Sequence, residues 1–303
     1  MRRVWLDVHR LLKVTHMKIT NKFDLPDPVV RAITAFDKGD QPEGLRVTTL
    51  IDSPRISQLR RMHYPKLTED VSQLVYRVWG SAIHEILSRE TSNAYVSEER
   101  LSHEVDGTLI SGAIDYQFVE DDAVDLKDYK TTAAYGVSQG IKPEWERQIN
   151  VYAYLIRQAK GLKVKSASVV AFIRDWRQSD ADTREGYPPA PVHEIPVHLW
   201  SEDEQDRYVE GRVRIHKNAE VQADFDDPPH CTDEERWAQP TKWAVHKGQN
   251  KRAMRVFDVE VDAQTFAGES EDRNIQVRPG RYVRCESWCA VAPFCDQYGG
   301  DND

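Results

Sequence analysis

The sequence predicts an α/β fold, with a block of β-strands between helices and a cysteine-rich segment after them. Three observations predict it. Residues 94–130 alternate in short runs, broken by turn signals at Asp106-Gly107 and Glu120-Asp121-Asp122. Residues 71–90, "VSQLVYRVWGSAIHEILSRE", place Leu74, Val75, Val78, Ile83, Ile86 and Leu87 at helical spacing before the strands. A second helical segment, "IKPEWERQINVYAYLIRQ", follows them, with Pro143 suited to its first turn.

The remaining elements fall in order around this block. Residues 17–70 read as mainly helical, with loops at "LPDP" and "DKGDQPEG" and a break at Ser53-Pro54 that starts a basic helix. In the helix over 71–90, Gly80 and Ser81 let another backbone approach closely, and His84 lies near the apolar stripe. Beyond the second helix, "VKSASVVAFIR" (164–174) gives another strand. "GYPPAPVHEIPVHLW" is a proline-rich loop running into a short extended piece, and residues 201–222 form a polar, charged helix. Past 223 periodicity fades and the cysteines begin. The expected segmentation is an upstream extension over 1–16 with Met17 as an alternative start, a helical region over 17–75, a core over 76–200, and a helix, basic stretch and cysteine region over 201–303.

Composition bounds the function. The chain has 303 residues, 40% of them hydrophobic, enough for one large domain or two modest ones. No apolar run approaches the roughly 20 residues of a membrane span. The N-terminus lacks the uninterrupted apolar segment of a signal peptide. Both features point to a soluble, cytoplasmic protein with no membrane partner. The net charge of −9 argues against a large non-specific nucleic-acid footprint but not against a local basic groove. "KWAVHKGQNKRAMR" (242–255) includes Lys251 and Arg252; it is either a phosphate-binding stretch or a solvated loop.

The chemistry concentrates in "GAIDYQFVEDDAVDLKDYKTT", residues 112–132. Strand alternation puts Val124, Leu126, Asp128 and Lys130 on one face, and Asp125, Lys127 and Tyr129 on the other. Asp128 and Lys130 therefore share the apolar face, while Asp125 and Lys127 are solvated. A hairpin brings Asp115 near Asp128. Two close carboxylates repel unless one is protonated or a cation sits between them. Mg²⁺ binds through one or two carboxylates plus waters and phosphate oxygens, and it lowers the pKa of a bound water. Lys130 beside it could offset phosphate charge, which completes a toolkit for phosphodiester hydrolysis. An isolated D-x-K is far more often a surface salt bridge across a hairpin.

The order of parts singles this one out. "GSAIHEIL" is followed by Gly112-Ala113-Ile114-Asp115, then, thirteen residues on, by Asp128-Tyr129-Lys130-Thr131, then by a helix with "QINVY". In these parts the chain resembles the PD-(D/E)XK nuclease superfamily, in its RecB-like branch. The resemblance implies a restriction-endonuclease-like core, a mixed central sheet flanked by helices. It implies His84, Asp115, Asp128 and the Tyr129 carbonyl as ligands of Mg²⁺ or Mn²⁺, and Asp115, Asp128 and Lys130 as the catalytic set. Gln148 and Tyr152 would brace the site or touch DNA; simple helix packing is the alternative for them, as a satisfied helix histidine is for His84. The implied activity is that of a DNA nuclease, an exonuclease acting on ends or single strands in recombination, repair or phage-type processing. The implied setting is a bacterial or phage-infected cell, with recombination or replication proteins as partners. The alternative is a non-cleaving DNA-binding or scaffold subunit; retention of both acids and the lysine favours the enzyme.

Cys285, Cys289 and Cys295 follow a C-x3-C-x5-C spacing that is ligand-like, and Cys231 could supply a fourth thiolate. Some nucleases of this branch carry an iron–sulfur cluster on four cysteines, and the resemblance to them implies a 4Fe–4S cluster here, with structural Zn²⁺ as the alternative. In those relatives the first cysteine precedes the nuclease motifs, whereas Cys231 follows them. The cluster would be a staple without a redox role.

Overall fold

A computed structural model of the chain describes residues 17–35, 44–89, 95–223 and 228–300. The expected extension over 1–16 and most of the "DKGDQPEG" loop lie outside the described residues. The chain divides into two compact units, Met1–Pro228 and Pro229–Asp303.

The first unit runs β1 (Lys18–Thr20), α1 (Asp27–Ala35), β2 (Leu45–Arg46), α2 (Val47–Leu50), α3 (Pro54–His63), β3 (Thr68–Asp70), α4 (Val71–Leu87), β4 (Tyr95–Val105), β5 (Thr108–Glu120), β6 (Ala123–Thr132), α5 (Ala134–Ser138), α6 (Pro143–Lys160), β7 (Lys163–Ile173), α7 (Gln178–Ala181), β8 (Val192–Pro196) and α8 (Glu202–Ala223). The expected mainly helical stretch over 17–70 also holds three short strands. β1 and β3 pair in parallel, and β2 joins the central sheet. Strands of two or three residues are too short to show an alternation, so helical periodicity on either side masks them.

The central sheet is mixed. β4 and β5 form an antiparallel hairpin through Asp106-Gly107, both at positive φ (+49° and +72°), as a two-residue type I′ turn requires. β5 and β6 pair antiparallel through a second positive-φ turn at Asp121-Asp122. β6 then pairs with β7 in parallel and β7 with β8 antiparallel. The parallel step needs a crossover, which α5 and α6 supply. α6 opens with Pro143 at its first turn, closes on a left-handed Gly161, and buries Ile149, Leu155 and Ile156 against the sheet. The core centres on Ile110, Ile114, Val124, Leu126 and Val169.

One edge of β5 is shared by two partners. β2 pairs at Ile110 and Ser111, and β6 begins at Tyr116. Residues 112–115 lie between the two ladders. The edge there is open to side chains, and the site forms in that gap.

The second unit contains a three-stranded antiparallel sheet of β10 (Lys242–Lys247), β11 (Arg255–Phe257) and β12 (Arg273–Arg278), covered by α9 (Glu260–Gly268). β9 (Ala238–Gln239) pairs with β13 (Arg281–Tyr282), and α10 (Val283–Ser287) and α11 (Asp296–Gly300) complete it. Sequence periodicity does not reveal this sheet. Its strands expose Val256 and Val277, so no clean buried face alternates with a polar one.

Candidate active site

Asp115, on β5, reaches into the gap. Its Oδ2 accepts the backbone N–H of Tyr129 at 2.7 Å, where the β5–β6 ladder has ended. A side-chain carboxylate thus takes over a strand N–H, and this ties Asp115 to the Asp128-Tyr129-Lys130 segment. Gly112 makes the gap possible. A Cβ there would meet the Tyr152 ring at 2.6 Å and Val47 at 2.9 Å.

α4 delivers His84. The Asp70 side chain accepts from the Ser72 N–H to cap the helix start. A Cβ on Gly80 would sit 3.3 Å from the Thr131 hydroxyl, so the small residue lets α4 lie close to β6. His84 Nδ1 stands 3.1 Å from Glu98 Oε1 and 3.3 Å from Asp115 Oδ1. The two carboxylates, Asp115 first, raise the imidazole pKa to about 10 despite partial burial. An imidazolium held by two acids marks a seat for positive charge.

Glu98 is the residue that the sequence reading misses. It lies in β4 between the pairs Ser97↔Tyr116 and Glu99↔Ile114, and so opposite Asp115. Its φ of +53° is a left-handed conformation inside a strand, which is unfavourable for a side chain other than glycine. Among the described residues, His84, Glu98 and Asp115 form a group whose ligand atoms all lie within 4.8 Å of one another.

Asp128 is only 2% exposed. Burial, with the nearby Asp115 charge adding and Lys130 opposing, pushes its carboxyl up to about 6. Its Oδ1 accepts from Gln148 Nε2 at 3.2 Å. Its Oδ2 lies 2.6 Å from Lys130 Nζ, yet it is a buried oxygen that accepts no aligned hydrogen bond. Gln148 Oε1 takes a hydrogen bond from Lys130 at 2.9 Å, and Gln148 Nε2 also donates to the Tyr152 hydroxyl at 2.8 Å. Gln148 and Tyr152 are both buried, which puts them in a bracing position beneath Asp128 and Lys130. Burial and the negative Asp128 raise the Tyr152 pKa, so it stays a neutral phenol. The Tyr129 ring meets His84 edge-to-face at 6.0 Å. On the opposite face, Lys127 pairs with Glu194 at 2.8 Å and Asp125 with Lys165 at 3.3 Å.

A model of the PD-(D/E)XK nuclease superfamily matches residues 8–296. The chain belongs to the PD-(D/E)XK nuclease superfamily. The mixed sheet flanked by helices is that fold. No curated protein matches the sequence. Among solved structures, the chain is similar to the protein SSO0001, at 14% identity and a TM-score of 0.41, over 62% of this chain and 84% of that one. It is also similar to an alkaline exonuclease from Laribacter hongkongensis, at 11% identity and a TM-score of 0.35, over 60% of this chain and 92% of that one.

In this superfamily member, His84, Asp115, Asp128, Lys130, Gln148 and Tyr152 come together in the first unit. Lys251 and Arg252 lie in the second unit, exposed at the tip of the β10–β11 hairpin. The other basic side chains of that stretch are engaged: Lys242 pairs with Asp258, Lys247 with Asp272 at 3.4 Å, and Arg255 stacks on Phe257. None of the four cysteines is in a disulfide, and all are half-buried in the second unit. Cys231 is tied to α11 by paired bonds, its N–H to Gln297 Oε1 (2.8 Å) and its carbonyl from Gln297 Nε2 (2.9 Å). Burial first, with Cys285 and Cys295 adding, raises the Cys289 thiol. Among the described residues no helix is long and apolar enough to cross a membrane.

Proposed function

We propose that this chain is a divalent-metal-dependent deoxyribonuclease, an exonuclease that hydrolyses phosphodiester bonds at DNA ends or in single strands. One observation carries the reading. The buried Asp128 Oδ2 is unaligned to any donor, Lys130 lies alongside it, and its carboxyl feels the charges of Asp115 and His84, two members of the His84–Glu98–Asp115 group. An oxygen-rich donor set with one imidazole suits Mg²⁺ or Mn²⁺. The residues that would hold the ion are His84, Glu98, Asp115, Asp128 and the Tyr129 carbonyl. When bound, the ion supplies Lewis-acid polarisation of the phosphate and a water of lowered pKa. The chain's own groups do the rest. Lys130 keeps a positive charge at the carboxylate edge, where a phosphate oxygen gains charge as water attacks phosphorus and the P–O ester bond breaks. Gln148 holds both Lys130 and Asp128 in place, and Tyr152 holds Gln148.

The resemblance to the RecB-like branch supports a place in recombination, repair or phage DNA processing, with recombination or replication proteins as partners. It also supports a 4Fe–4S cluster on Cys231, Cys285, Cys289 and Cys295. Lys251 and Arg252 would add phosphate contacts.

The test incubates the purified protein with end-labelled single- and double-stranded DNA in Mg²⁺, Mn²⁺ or EDTA. Labelled mononucleotides or short products in either metal, absent in EDTA, are expected. Intact DNA under every condition would leave the scaffold reading in its place.

A further inference from the structure

α4 carries more than His84 along the side that faces the site. Tyr76, Gly80 and His84 follow one another at four-residue steps and so share a line on the helix. Gly80 lies against Thr131, next to Lys130, and His84 lies against Asp115. Tyr76 is therefore two turns along the same line from the proposed metal seat. It is 55% exposed, and Trp79 beside it is 46% exposed. The two rings meet edge to face, centroids 5.5 Å apart at 87°. The Arg174 guanidinium lies 4.4 Å from the Tyr76 ring centroid and 5.8 Å from that of Trp79. Arg174 comes from the end of β7, and its N–H donates to the Thr132 carbonyl at 2.9 Å. The cluster is thus fixed both to the helix that bears His84 and to the strand that bears Asp128 and Lys130.

Two large rings left open to water, with a fixed guanidinium beside both, suit a flat, electron-rich partner attached to an anion. A nucleobase on its phosphate backbone is such a partner, since every base has a face to stack and every phosphate attracts the cation. We propose that Tyr76, Trp79 and Arg174 form a stacking platform for an unpaired base of the strand that enters the site. This rests on the deoxyribonuclease reading. The eight residues from Tyr76 to His84 span about 12 Å of helix. A stacked strand rises roughly 3.4 Å per nucleotide, so the base would lie about three to four nucleotides from the cut.

The test measures fluorescence anisotropy of labelled oligothymidylate in EDTA, where nothing is cleaved. An oligomer of equal length made of abasic units is the control. Wild type should bind oligothymidylate about tenfold more tightly than the abasic strand, within the range for one stacked base. Tyr76→Ala/Trp79→Ala should lose that preference, and Trp79→Phe should keep most of it. All three should hydrolyse base-free bis(4-nitrophenyl) phosphate at equal rates with Mn²⁺, which shows the fold and metal seat intact. Wild type binding both strands alike would overturn the platform without needing any variant to fold, and so would a double variant that binds oligothymidylate like wild type. Base-dependent binding without hydrolysis of either compound would remove the nuclease reading and leave the platform standing.

Discussion

Asp128 brings a carboxylate to a place where burial raises its proton affinity; the Lys130 charge opposes that shift, and Gln148 donates a hydrogen bond to its Oδ1. Replacing Asp115, Asp128 or Lys130 by Ala should therefore cut DNA cleavage by about 100-fold or more while leaving the circular dichroism unchanged. Asp125→Ala and Lys127→Ala should stay within about twofold, because their ion pairs lie on the other face of β6 and surface pairs contribute little. Single-turnover cleavage of end-labelled DNA distinguishes the two sets. A dead Lys127→Ala beside an active Lys130→Ala would reverse the assignment of faces. Glu98→Gln keeps size and removes charge, so it should raise the Mn²⁺ concentration for half-maximal cleavage about tenfold. An unmoved metal titration would exclude Glu98 from the ion. The acids and lysine were legible because strand alternation and the order of motifs isolate them. Glu98 was not legible, because "SEER" offers two adjacent glutamates and only a left-handed kink in β4 aims the first of them at His84.

At the scale of elements, the site depends on an edge of β5 that two strands share. Gly112→Ala puts a methyl where the Tyr152 ring and Val47 already sit, an overpacking that should cost about 1–3 kcal/mol. Differential scanning calorimetry should show a lower Tm; an unchanged one would mean that Tyr152 moves freely. The glycine was visible in the sequence as part of a motif, but its reason was not, since Tyr152 reaches it from forty residues away. α8 offers a pH test. It buries His216, whose Nε2–H donates to the Leu50 carbonyl at 3.1 Å. Burial first, then the Arg212 charge, lowers the imidazole pKa to about 4. The unfolded chain, with a histidine pKa near 6.5, takes up this proton first. The stabilisation is therefore complete above about pH 6.5 and is lost as pH falls toward 4, by roughly 3 kcal/mol. Urea denaturation across that window should show the slope, and His216→Gln should flatten it. Equal slopes in the two proteins would place the acid sensitivity elsewhere.

At the scale of the whole molecule, the two units differ in what can hold them together. The first has a large apolar core on its six-stranded sheet. The second spans residues 229–303, and its buried apolar side chains among the described residues are Ala244, Val245, Ala263 and Val291. A core of that size is small for about 75 residues, and domains of that length commonly add a cross-link or a metal. The proposed cluster on the four cysteines would provide one. Cys231 stands at the start of the unit and Cys285, Cys289 and Cys295 near its end, so shared ligation would close a long loop and remove much unfolded-state entropy. Purified without oxygen, the protein should be brown and hold about four irons per chain. Ser at any of the four positions should strip the iron and expose residues 229–303 to limited trypsin digestion, while the fragment up to 228 survives, because its core does not involve the thiols. Cys231→Ser is the most informative, since Gln297 already ties that backbone to α11 and could hold it alone. If the Ser variants resist trypsin as well as wild type does, the small sheet is self-sufficient and the thiols are not a staple. A colourless protein with one tightly held zinc would keep the staple and change the metal. Cleavage of DNA should persist in part when the cluster is lost, because His84, Asp115, Asp128 and Lys130 all belong to the first unit.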